Sequence, residues 1–123
     1  MNERERRIGL NEAFFREVNE HIEDLDRTLA LQAADLEIVC ECARADCFAH
    51  VTVPRDVYEH VRSDSTLFLA LPGHVAPDAE DVLEEHGAYV VLRKRPDTEA
   101  AEVAEATDPR KGPPGFEPGT DGL

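Results

Sequence analysis

Three cysteines fall within eight residues, Cys40-Glu41-Cys42-Ala43-Arg44-Ala45-Asp46-Cys47, and the chain holds no others. Nothing else in the sequence constrains the fold as strongly. Two cysteines at i and i+2 on an extended segment point to the same side, and the four residues after Cys42 let the chain turn and return Cys47 to them. Three thiolates at one hairpin tip form most of a tetrahedral site for a soft or borderline cation, and an imidazole completes it well. The fourth ligand has two candidates. His50 follows Cys47 at short range, whereas His74 follows a Pro72-Gly73 turn at the end of an apolar run, and His74 is favoured. Zinc is the expected metal, with iron an alternative because thiolates bind both. Cys-x-Cys is tighter than the two-to-four-residue spacing of familiar structural zinc sites. Two other readings therefore stand beside it: a redox switch in which Cys47 resolves a disulfide, and three unconnected cysteines acting as small core residues.

The flanking pattern supports a hairpin. Leu36, Ile38, Cys40 and Cys42 alternate with Glu37, Val39 and Glu41, the period of a strand, and 48–53 reads as its partner. Pro54 suits the first turn of a short helix with Val57, Tyr58 and Val61 on its apolar face, ended by Ser63-Asp64-Ser65. The continuous run Leu67–Leu71 reads as a buried strand. A second short helix is expected after Pro77, with Asp78, Glu80 and Asp81 in its first turn and His86-Gly87 at its close. Residues 88–92 form a last strand. Before the hairpin, the first ten residues read as frayed. From Asn11 a helix carries Phe15, Val18, Ile22, Leu25 and Leu29 at spacings of three and four, widened by Phe14. Arg16, Glu20, Glu23 and Arg27 lie on its other side, with Glu12–Arg16 and Glu23–Arg27 as four-apart pairs.

The expected fold class is thus α+β: a long N-terminal amphipathic helix (1–35), a small sheet made of a hairpin plus two strands and covered by two short helices (36–95), and a flexible C-terminal tail (96–123). Residues 97–108, alternating alanine with acids, are at most a marginal helix. Residues 112–123 resemble translations of transfer-RNA genes, whose T-arm reads Phe-Glu-Pro in one frame, here Phe116-Glu117-Pro118. That likeness implies a reading frame running into a neighbouring gene.

Charge excludes some functions. With 27 acidic against 13 basic residues the net charge is -14, and no basic stripe is available to neutralise a nucleic-acid backbone. No segment reaches membrane-spanning length. A cytoplasmic location is expected, where clustered cysteines bind metal more often than they form disulfides. A small domain with few aromatics and no tryptophan gains stability from a metal staple.

Val39-Cys-Glu-Cys-Ala, Cys47, Leu71-Pro-Gly-His74 and Tyr89-Val-Val-Leu, with Phe15-Arg-Glu-Val-Asn-Glu-His-Ile-Glu-Asp before them, resemble a family of small, uncharacterised bacterial proteins, mainly actinobacterial. The resemblance covers about residues 11–108. It implies Cys40, Cys42, Cys47 and His74 as the ligand quartet, leaves His50 outside, and brings no activity with it. No nucleophile–base pair, phosphate loop or carboxylate dyad is visible elsewhere. Glu41, the one conceivable base near the metal, points away by strand alternation. The expected function is a non-enzymatic, zinc-stabilised protein-binding or regulatory module, its partner meeting the helix at Phe15, Val18, Ile22, Leu25 and Leu29, or a second copy doing so. The alternative is a thiol redox or metal sensor using Cys40, Cys42 and Cys47.

Overall fold

The computed structural model describes residues 2–28 and 34–111. Helix α1 runs Glu3–Thr28, followed by β1 (Asp35–Val39), β2 (His50–Pro54), α2 (Arg55–Arg62), β3 (Leu67–Ala70), β4 (Glu80–His86), β5 (Tyr89–Lys94) and α3 (Glu99–Ala106). The α+β class holds. The cysteine hairpin forms as the alternation requires: β1 and β2 are antiparallel with Leu36 opposite Val53 and Ile38 opposite Val51, all four buried. Pro54 precedes α2, where its missing N–H costs nothing.

The single sheet of the sequence reading is two. β1 and β2 form one, and β3, β5 and β4 form the other in the spatial order β3-β5-β4. The Cys40–Cys42 segment joins them. Cys40 N–H donates to Ala49 O on the hairpin side, and Glu41 N–H donates to Leu69 O of β3 at 2.8 Å. The segment carrying the thiols is therefore held from both sides.

The helix expected after Pro77 is instead strand β4. It pairs antiparallel with β5 through a two-residue connection, His86 opposite Tyr89, with a register shift between Val82 and Glu84. The strand is an edge, exposed after Glu80, so neither face imposes an alternating pattern. Asp81, Glu84 and Glu85 face solvent, which tolerates them on a strand or a helix, whereas Glu80 is buried against Lys94.

Helix α1 begins at Glu3 rather than fraying to residue 10, and its buried face is turned partly off the expected stripe onto a polar series. Glu12, Arg16, Asn19, Glu23 and Asp26, spaced four and three apart, are buried. Leu10, Phe14 and Leu25, on the far side, are 44%, 61% and 60% exposed. Phe15 is buried, Val18 and Ile22 are half-buried, and Leu29 lies outside the described residues. Most of the buried polar groups find partners, although Arg16 Nε does not. Arg16 donates to Ser65 O (2.6 Å) and Ala104 O (2.7 Å), Asp26 pairs with Arg55, and Lys94 sits between Glu12 and Glu80. Phe68, fully buried, lies against Arg16 and Lys94, each 4.6 Å from its ring centre, a favourable cation–π arrangement when water is excluded.

The segment from residue 96, expected as a flexible tail, carries α3, whose Ala100 and Ala104 are fully buried. Thr98 caps it by accepting from Ala101 N–H. Gly9 lets α1 and α3 approach closely, since a Cβ there meets Val103 Cβ at 3.0 Å and Ala100 Cα at 3.1 Å. Residues 112–123 lie outside the described residues.

Two carboxylates predict the acid response. Burial alone raises Glu20, but hydrogen bonds from Arg110 and Tyr58 outweigh it and hold Glu20 below its ordinary 4.5. The Thr66 backbone N–H likewise holds Asp64 low. A depressed carboxylate contributes stability above its unfolded value and loses it as pH falls through the folded one. Urea midpoints are expected to drop between about pH 6 and pH 3, and to drop less in Glu20→Gln. Equal drops remove Glu20 from that account.

Candidate metal centre

Cys40, Cys42, Cys47 and His74 converge, their ligand atoms all within 4.8 Å of one another. The three thiols are buried and the imidazole half-buried. Cys40 and Cys42 extend the inward face of Leu36 and Ile38 past the end of β1. Cys47 returns through a turn closed by its own N–H to Arg44 O at 3.1 Å. His74 comes from the loop after β3. Its N–H donates to Leu71 O, and Gly73 before it adopts φ +86°, a conformation glycine takes without strain.

The distances suit a tetrahedral ion. His74 Nδ1 lies 3.6 Å from Cys40 Sγ and 3.7 Å from Cys47 Sγ. Metal–sulfur bonds of about 2.3 Å and metal–nitrogen bonds of about 2.0 Å in a tetrahedron give an S···N edge of about 3.5 Å. Backbone donors already serve the sulfurs: Leu71 N–H points at Cys40 Sγ at 3.3 Å, and the Arg44 amide serves Cys42. The hydrogen bond from Cys40 pulls the Cys42 thiol down, while the same bond and burial push Cys40 up. Cys42 is thus the readier of the two to give up its proton, and the thiolate is the form that ligates.

His50 does not join this group. It lies at the exposed start of β2 with Nδ1 3.0 Å from Glu37 Oε2. Glu41 points to the opposite side, as strand alternation requires, and is fully buried. It accepts from Arg62 (2.7 Å), Asn19 (2.7 Å) and Leu69 N–H (2.9 Å). Asn19 also clamps the end of β1, donating to Val39 O and accepting from Val39 N–H, both at 2.8 Å. Asn19, Glu41 and Arg62 therefore fix the strand from which two ligands project. Sequence reasoning missed Asn19 and Arg62. The visible signal was the polar series Glu12, Arg16, Asn19, Glu23 and Asp26, whose regular spacing equals that of a buried face.

Among the described residues no helix is long and apolar enough to cross a membrane. No protein-family model, curated protein or solved structure is matched by this chain.

Proposed function

We propose that this chain is a non-enzymatic domain, stabilised by one zinc ion, that binds another protein. The observation that carries the zinc reading is the convergence of three buried thiols and one imidazole at tetrahedral spacing. Zinc suits that donor set, with iron the competitor that thiolates also accept. Four protein ligands fill the shell, whereas a catalytic zinc keeps one position for water or substrate. Cys40, Cys42, Cys47 and His74 then act as a staple that ties the hairpin tip to the loop after β3.

The surface offered to a partner keeps Leu25 and the flanking Phe14 of the face read in the sequence and adds Leu10 and Phe48. Leu10, Phe14 and Leu25 stay exposed, and Phe48 of the cysteine loop, 69% exposed, stands 6.1 Å from Phe15 in an edge-to-face contact. Exposed aromatics at the head of a metal-fixed loop are the type of side chain that anchors interfaces. The net charge of -14 favours a partner whose contact is rimmed by basic residues.

A photo-crosslinking phenylalanine analogue at position 14, with the exposed Glu102 of α3 as the control position, tests this reading in the producing cell. A discrete adduct from position 14 that disappears on Leu10→Glu supports it. Equal labelling from both positions, or none, sinks it.

A second reading, a thiol redox or metal sensor, draws on the mutual proximity of the three thiols. A two-electron oxidant such as hydrogen peroxide would take two electrons from two metal-bound thiolates, joining them as a disulfide and releasing the metal. Thiols that alkylate at the same rate with and without metal oppose it.

A further inference from the structure

A groove of about 280 Å³ opens beside the metal centre, with Cys42 and His74 in its wall. Arg4, Arg7 and Arg44 line it. The chain has 27 acidic and 13 basic residues, yet none of the described residues that line this groove is acidic. Three guanidinium groups thus surround one opening, and two of them, Arg4 and Arg44, also stand within ion-pair distance of Asp78 and Asp46. The rest of the wall is small or apolar, including Ile8, Val75 and Ala76.

The guanidinium groups have capacity to bind. Arg4 already shows the geometry, holding the Asp78 carboxylate at the rim through Nε (2.7 Å) and a terminal nitrogen (3.2 Å). Arg44 is 71% exposed, and its contact with Asp46 is long, at 3.6 Å. Arg7 sits one helical turn after Arg4, on the same side of α1. Forked guanidinium donors match the two oxygens of a carboxylate or phosphate better than an ammonium does.

We propose that this groove binds a small organic anion, with a carboxylate or phosphate head held by Arg7 and Arg44 and a short apolar body lying on Ile8 and Val75. The inference rests on the zinc reading only in that a filled coordination shell fixes the Arg44 loop and His74. The ligand does not replace a protein ligand of the metal. Its binding therefore touches the metal-fixed loop through Arg44.

The test titrates the metal-loaded full chain with inorganic phosphate in one arm and isobutyrate in the other, followed by amide NMR. Saturable shifts at Ala43, Gly73 and Val75, with a Kd near ~1 mM or tighter, are expected for one arm, since a few charge-assisted hydrogen bonds support that affinity. The arm that saturates distinguishes a phosphate from a carboxylate head. The double variant Arg7→Gln/Arg44→Gln is expected to bind about tenfold or more weakly while retaining its metal. Scattered shifts without saturation in both arms overturn the proposal, as does unchanged binding in the variant. Metal loss in the variant also overturns it, because the arginines then serve thiolate charge instead of a ligand. Metal content of the wild type, measured on the same sample, separates failure here from failure of the zinc reading.

Discussion

Removing the metal with a strong chelator is expected to lower the melting temperature by roughly 12–20 °C, and re-adding zinc to restore it. Linkage sets the scale: free metal about a thousandfold above its Kd stabilises the folded state by about 4 kcal/mol. A domain of this size loses a few degrees for each kcal/mol. The structural reason lies in what the ligands connect. Cys40, Cys42 and Cys47 belong to the hairpin, whereas His74 belongs to the loop leaving β3 in the other sheet. Without the ion, three buried thiols stand together with no cation to bridge them, and the loop around Phe48 loses its anchor. Cys40→Ser is expected to reproduce the chelated melting temperature and to become insensitive to chelator. A chelated wild type that melts where the loaded protein does would remove the staple from the account.

Lys94→Met is expected to destabilise the fold by about 3–5 kcal/mol in urea unfolding, because it strands two buried carboxylates. Lys94 contacts both Glu12 and Glu80, and all three side chains are fully buried. Burial pushes Glu80 up to about 7 and Lys94 down, so the cluster survives only while the charges meet. A carboxyl raised above its unfolded 4.5 contributes stability below that value and loses it as pH rises through about 7. The loss in Lys94→Met is therefore expected to be larger at about pH 8 than at about pH 5. The triple variant Glu12→Leu/Glu80→Met/Lys94→Met is expected to recover much of the deficit, as apolar replacements of buried ion clusters often do. A pH-independent loss, or a single variant as stable as the wild type, contradicts this arrangement.

How far the sequence foretold the structure depended on whether a segment has one buried face. Leu36 and Ile38 alternate with polar neighbours because one side of β1 is core, so the hairpin and the direction of Cys40, Cys42 and Glu41 were legible. The run Leu67–Ala70 is buried on both faces and was legible by its continuity. β4 carries no such imprint: beyond Glu80 its residues face solvent, and Asp81, Glu84 and Glu85 suit a helix equally well. α1 misled for a different reason. Apolar periodicity marks a core face only when the core is apolar, and here the helix turns Glu12, Arg16 and Asn19 inward to Lys94, Ser65 and Glu41. α3 was underestimated because alanine offers little hydrophobic signal, yet small side chains are what the close contact with Gly9 requires. Of the two histidines weighed as fourth ligand, the rigid turn after β3 brought His74 to the thiols, and pairing with Glu37 kept His50 at the surface.

The most direct measurement is metal content by mass spectrometry on untagged protein, combined with X-ray absorption at the metal edge. The account predicts one zinc per chain bound by three sulfurs at about 2.3 Å and one nitrogen at about 2.0 Å, with the nitrogen lost and occupancy reduced in His74→Ala. Metal-free protein whose three thiols titrate freely would contradict it.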